Sequence, residues 1–259
     1  MAGRRPAGAR PTRPRSAHFL RASAAAEIVR DARLGAADVV VDLGAGSGRL
    51  TAELARVARH VVAVELDPRL AAGLRDRWRN VEVVEGDAAR VRLPREPFRV
   101  VANLPFGRTN DLLHLLLDRP ETQLVRADLV VEWGVAVKRG LPWPSTVNSV
   151  VWGARYEASV ARRLPREAFE PPPSVDAAVL VLRRRAEPLV PRELLESYGA
   201  FVARGFRHGL RAVSPARGRP RDLDAHAWAA LFNRTGMMDA WAPRRSSSRS
   251  SSRSRAPWR

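Results

Sequence analysis

The chain has 259 residues, 45% of them hydrophobic, enough for one large core and a small second one. Its 45 basic residues against 27 acidic ones give a formal charge of +18, and every basic residue except Lys138 is an arginine; such a field suits a polyanion, either nucleic acid or an acidic membrane, because the guanidinium fork grips phosphate and stacks on bases. The lack of cysteine excludes a disulfide framework and a thiolate metal site, and the five histidines (His18, His60, His114, His208, His226) form no ligand pair at helical spacing, which speaks against a metal enzyme.

Residues 1–15 are rich in Arg, Pro, Gly and Ala and read as a disordered basic arm without the apolar stretch of a signal peptide. No segment is long enough to span a bilayer, so the expected compartment is the cytoplasm. From there, short β-rich runs alternate with helical patterns. Strands are predicted at 39–41, 61–64, 81–84, 99–102 and 127–131, with helices at 50–58, 68–78 and 110–117 between them. Such alternation predicts an α/β fold with a mostly parallel sheet covered on both faces. Residues 156–164 and 177–182 predict two more strands joined through a Pro-rich loop, a hairpin at the sheet edge.

After Arg185 only helical patterns remain. Leu194, Leu195, Tyr198, Phe201, Val202 and Phe206 share one face, and the same helix ends in Arg204, Arg207, His208 and Arg211, a basic end suited to RNA contact. Asp222 or Asp224 caps a further helix carrying Leu223, Ala227, Trp228, Leu231 and Phe232, stopped by Gly236. The aromatics are expected in a core rather than as base-stacking platforms. An Arg/Ser tail closes the chain. The expected units are therefore 1–15, a catalytic domain over 16–185, a small all-helical domain over 186–242 and a disordered tail over 243–259.

The chemistry concentrates at strand ends. Gly44, Gly46 and Gly48 follow the first predicted strand, but Arg49 stands where a pyrophosphate loop wants its last glycine. A nucleoside ligand without phosphate fits better, and S-adenosylmethionine is one; Gly44 and Gly46 let backbone approach its amino-acid part. Glu65 ends the second strand and is placed to accept both ribose hydroxyls, and Asp87 ends the third and is placed to accept from the adenine amino group, with the Ala88 amide facing a ring nitrogen. Either acid alone also reads as a helix cap.

The fourth strand closes on Asn103-Leu104-Pro105-Phe106. An adenine amino nitrogen is a poor nucleophile because its lone pair is delocalised, and it must pyramidalise as it attacks. The Asn103 side-chain carbonyl and the Leu104 backbone carbonyl can accept its two hydrogens, Pro105 stiffens the turn, and Phe106 stacks on the base. In-line positioning and electrostatic preorganisation then supply most of the acceleration. Such a base must be unpaired or flipped out of a duplex. Phe169 either closes the pocket from the other side or plugs the core.

These residues together resemble the ribosomal RNA adenine N6-methyltransferases. The likeness runs from about residue 16 to 240 and includes Ser16-Ala17-His18-Phe19-Leu20, the glycine loop, Glu65, Asp87, the Asn103 motif and the stretch from Phe169 to Val179. It implies a Rossmann-like class I methyltransferase domain with a seven-stranded sheet, an S-adenosylmethionine cofactor held in part by His18 and Leu20, and a small helical C-terminal domain. Phe106-Gly107-Arg108-Thr109 is similar to the Erm branch, which methylates 23S rRNA in the peptidyl-transferase loop and confers macrolide, lincosamide and streptogramin B resistance; Arg108 then joins the RNA-contacting residues. The 16S rRNA dimethyltransferases are the competing branch, and a DNA adenine methylase or a non-catalytic rRNA-binding assembly factor are more distant alternatives. One departure stands out: His18 occupies a position where the family commonly has an asparagine that helps hold the donor. His18 is expected to donate a hydrogen bond in its place, with donor affinity falling at acidic pH. No apolar surface stripe calls for more than a monomer.

Overall fold

The computed structural model describes residues 18–140, 146–215 and 218–235. The basic arm, Ser16, Ala17, Gly236 and the Arg/Ser tail lie outside the described residues. In chain order the elements are β1 (Phe19–Leu20), α1 (Ala22–Ala32), β2 (Val39–Leu43), α2 (Arg49–Val57), β3 (His60–Glu65), α3 (Pro68–Leu74), β4 (Val81–Glu85), β5 (Phe98–Asn103), α4 (Thr109–Leu117), β6 (Leu124–Glu132), α5 (Trp133–Gly140), α6 (Val147–Gly153), β7 (Tyr156–Leu164), β8 (Phe169–Glu170), β9 (Ala177–Arg184), α7 (Leu195–His208) and α8 (Ala225–Arg234).

Seven strands form one sheet in the order β4-β3-β2-β5-β6-β9-β7. The first five pair in parallel, and β9 runs antiparallel to both β6 and β7. The fold is the Rossmann-like methyltransferase architecture expected, with β7 on the edge and β9 inside it. Central strand β2 is buried along its whole length, as a parallel strand covered on both faces must be. Its period of two divides the core. Val39, Val41 and Leu43 face the leucines of α4, whereas Val40 faces Ile28 of α1 and Leu54 of α2.

A second core of Tyr198, Phe201, Val202, Trp228 and Phe232 joins α7 to α8. Asp224 caps α8 by accepting from Ala227 N at 2.7 Å. Phe206 stacks on Trp228 inside this layer, so the aromatics are core, as expected. The layer also takes Val150 from α6 and Ala154 just after it, both before residue 185.

Three local readings change. The helix expected over 68–78 ends at Leu74, because Arg75 turns to an extended ψ of 143° and Asp76 then takes a left-handed φ of 60°. Helix α1 was not foreseen; its alanines and Ile28 bury one helical face. The short pair β1–β8, with Phe19 opposite Glu170 and Leu20 opposite Phe169, clasps the segment before α1 to the loop before β9.

Candidate active site

The carboxyl ends of β2, β3, β4 and β5 lie side by side, which brings the glycine loop, Glu65, Asp87 and Asn103 to one edge of the sheet. The glycine loop hangs from β3: Gly44 N and Ala45 N both donate to the Val64 carbonyl, at 2.8 and 3.0 Å. Gly44, Gly46 and Gly48 all have positive φ. All three are also pinned by close neighbours, Gly48 by the Leu74 side chain. A Cβ on Gly44 would stand 3.3 Å from Pro105 Cδ, and one on Gly46 would stand 2.7 Å from the Phe19 ring. The glycines therefore let the Asn103 loop and β1 close on the donor loop, a role inside the protein that was not foreseen.

Glu65 is buried. Its Oε2 accepts from Gly46 N at 2.6 Å and its Oε1 from Asp67 N at 2.9 Å. A carboxylate has about four lone-pair directions, so two remain for ribose hydroxyls. Asp87 caps the single turn Ala88–Arg90 by accepting from Ala89 N at 2.9 Å. Its carboxylate also meets Arg108 Nη2 at 3.3 Å. These contacts hold the Asp87 carboxyl below its ordinary range, the Ala89 amide most of all. Arg108, exposed at the surface, pairs with two acids, Asp87 and Asp111 (2.8 Å).

Asn103 is the most informative residue of the acceptor side. Its Nδ2 donates to the His18 carbonyl at 2.8 Å, which fixes the orientation of the amide. Its Oδ1 is buried and has no hydrogen-bond partner. An unsatisfied buried acceptor costs about 1–3 kcal/mol. Leu104 is buried and its amide donates to Val130 O at 3.1 Å, so the turn after β5 is tied to β6. Pro105 leads into the turn Phe106–Arg108. The half-buried Phe106 ring lies between His18 (6.0 Å) and Phe169 (6.3 Å, edge-on).

Of the two alternatives for Phe169 the structure shows the core plug: the side chain is fully buried and backs Phe106. His18 Nδ1 lies 2.9 Å from the Pro171 carbonyl. A carbonyl only accepts, so Nδ1 carries a proton and donates to it. Leu20 likewise has its side chain in the core, and its carbonyl accepts from Arg49 at 2.7 Å. Arg207 and Arg211 are exposed at the end of α7 and just beyond it; Arg204 is exposed on the same helix.

Asp42 was not singled out, although an acid inside an all-buried strand is a legible signal. It is 1% exposed, its Oδ2 accepts from Thr51 Oγ1 at 2.7 Å, and its Oδ1 has no partner. Burial pushes its carboxyl up to about 7; Thr51 opposes the shift and Glu65 adds to it.

Residues 16–216 match the family described as ribosomal RNA adenine dimethylase. The chain belongs to that family. Membership makes it an rRNA adenine N6-methyltransferase. It is similar to an rRNA adenine N-6-methyltransferase of Corynebacterium diphtheriae (36% identity, covering 70% of this chain and 68% of that one) and to the mycinamicin-resistance protein MyrB of Micromonospora griseorubida (34%, 74% and 68%). Among solved structures it is similar to the 23S rRNA methyltransferase ErmE, with a TM-score of 0.75 and 31% identity over 83% of this chain and 98% of that chain. Among the described residues no helix is long and apolar enough to cross a membrane, and no cluster of metal-ligating side chains occurs.

Proposed function

We propose that the protein methylates N6 of an unpaired or flipped-out adenine in the peptidyl-transferase loop of 23S rRNA, with S-adenosylmethionine as donor, and so confers resistance to macrolides, lincosamides and streptogramin B. The observation that carries this reading is the buried, unpartnered Asn103 Oδ1 beside Phe106. An exocyclic amino group is the partner that geometry lacks. The resemblance to ErmE and MyrB supports the 23S target and the resistance phenotype.

S-adenosylmethionine, when bound, supplies an electrophilic methyl carbon on a sulfonium centre. The residues fit such a ligand: Glu65 keeps open lone pairs for ribose, Asp87 faces the adenine end, and the glycine loop exposes backbone. The remaining work belongs to the acceptor side. Asn103 Oδ1 takes one N6 hydrogen and the Leu104 carbonyl the other, which favours the pyramidal nitrogen of the transition state over the planar ground state. Phe106 holds the base face, and Pro105 fixes the turn that aims both carbonyls. The hydrogen bond from Asn103 Nδ2 to His18 keeps the amide from rotating its NH2 into the acceptor's place.

Reverse-transcription stops on rRNA from cells with and without the protein, read beside macrolide sensitivity, test the proposal. A new stop in the peptidyl-transferase loop with raised tolerance is expected. A stop in 16S rRNA with unchanged tolerance would move the protein to the small-subunit dimethyltransferases.

A further inference from the structure

The chain crosses from the sheet to the helical layer over a cavity of about 270 Å³, lined by Glu121, Arg155, Tyr156, Arg184, Arg185 and Arg192 among others. It sits at the amino end of the sheet. Thr122 and Gln123 line it just before Leu124 opens β6, whereas Asn103 pairs with Val130 near the other end. Six residues of strand separate Leu124 from Val130, roughly 20 Å, so this cavity is remote from the transfer site.

Its charge is not balanced. Arg155 and Arg184 both lie over the Tyr156 ring, 5.4 and 5.8 Å from its centroid. Arg155 donates to the Arg119 and Leu117 carbonyls, and Arg184 to the Leu124 and Thr122 carbonyls. Among the described residues neither has a carboxylate within ion-pair distance. Arg185 is paired with Glu157 at 2.9 Å, and Arg192 reaches Glu121 only at 4.0 Å, with both side chains 62% exposed. Burial holds Arg155 below the usual arginine value; Arg184 and Arg192 add to this, while Tyr156 and Asp118 oppose it. Two like charges are thus fixed on one ring by neutral oxygens, with a third close by; of the acids around them Glu157 is taken by Arg185, Glu121 is loosely held, and Asp118 lies beyond ion-pair distance of Arg155.

We propose that this cavity is a phosphate-binding site, taking a phosphodiester or pyrophosphate group against Arg155, Arg184 and Arg192. The guanidinium fork matches phosphate oxygens, and charge-assisted bonds of this kind are the strong ones. The volume falls below that of drug-sized ligand pockets, roughly 300–1,000 Å³, which suits a small anion rather than a whole nucleotide. The group can come from the backbone of an RNA or from a free polyphosphate.

Calorimetric titration of the full chain with inorganic pyrophosphate, at ionic strength held constant with sodium chloride, tests the site. Saturable binding is expected, weakened about three- to tenfold by Arg192→Gln, strengthened by Glu121→Gln and unchanged by Arg56→Gln on α2. These positions avoid Arg155 and Arg184, whose bonds to backbone carbonyls support the fold. Absence of saturable binding, or an equal response in all three variants, would overturn the proposal. Displacement of pyrophosphate by an rRNA fragment would assign the site to RNA backbone, and retention would assign it to a free polyphosphate; both support it.

Discussion

The two halves of the active edge are finished to different degrees. On the donor side both oxygens of Glu65 hold backbone amides, and Asp87 caps a turn and meets Arg108. On the acceptor side Asn103 is held by its nitrogen while its oxygen is left without a partner. The donor half is a scaffold held in place by its own hydrogen bonds, with lone pairs of Glu65 and the Oδ1 of Asp42 left over. The acceptor half carries an open acceptor that a substrate amino group can satisfy. The difference predicts where mutations act: donor-side changes alter stability and donor affinity together, and acceptor-side changes alter the rate.

Asn103→Ala is the strongest way to break this comparison. Loss of a preorganised group at the reacting centre lowers kcat on the order of 10²–10³-fold, while donor affinity stays within a few fold. Single-turnover methyl transfer and donor titration by calorimetry separate the two quantities. Equal losses in both would mean that the Asn103 bond to His18 is the residue's main contribution and that the two halves are not distinct.

Asp42 sharpens the donor side through pH. Its folded pKa of about 7 lies above its ordinary 3.8, so the folded chain holds a proton that the unfolded chain has released. Stability from this group is complete below about pH 4, is lost as pH rises to about 7 and is level above that. The ceiling is about 4 kcal/mol. Asp42→Asn should keep the Thr51 bond and remove this slope, so the variant gains on the parent between pH 4 and pH 7 in denaturant titrations. Parallel stability curves would show that Asp42 is ionised in the folded chain and that the donor side carries an unrelieved charge.

How much of this was legible follows from distance along the chain. The parallel sheet was readable because valine-rich runs alternate with helical patterns over short windows, and the edge hairpin because its Pro-rich loop is local. The strand-end acids and the Asn103 motif were readable because open sheets expose their carboxyl ends. What escaped was set by partners far away in sequence. Nothing near Gly46 reveals that the Phe19 ring will lie against it. Nothing near Phe169 reveals that Phe106 will cover it. Nothing near Arg108 reveals that the chain will bring Asp87 to it. Helix α1 was hidden by composition, since its apolar face is built mostly from alanine.

Gly46→Ala tests whether the donor loop is finished by packing or waits for its ligand. The new Cβ adds strain at a φ of 57° and meets the Phe19 ring. A non-glycine residue held there costs on the order of 1–3 kcal/mol. Thermal unfolding should report that loss without any donor present. Adding Phe19→Ala should recover the steric part and leave the backbone part, which a double-mutant cycle resolves. If Gly46→Ala leaves the melting temperature unchanged and lowers only donor affinity, the glycine serves the ligand alone.

Arg108→Gln gives the smallest expected effect and probes the seam between the halves. Arg108 follows Phe106 by two residues and reaches back to Asp87, so it ties the turn after Phe106 to the turn that Asp87 caps after β4. Exposed ion pairs contribute little, so stability should hardly move. Without Arg108 the Asp87 carboxylate loses one of the contacts that lower its pKa, though the larger one, from Ala89, remains. Donor affinity should therefore fall by less than about tenfold, and the loss should shrink as salt screens the pair in the parent protein. The informative quantity is coupling. If Arg108 joins the halves, the effect of Asp87→Asn on kcat will differ between the parent and the Arg108→Gln background. Strict additivity would mean that each half works without reference to the other.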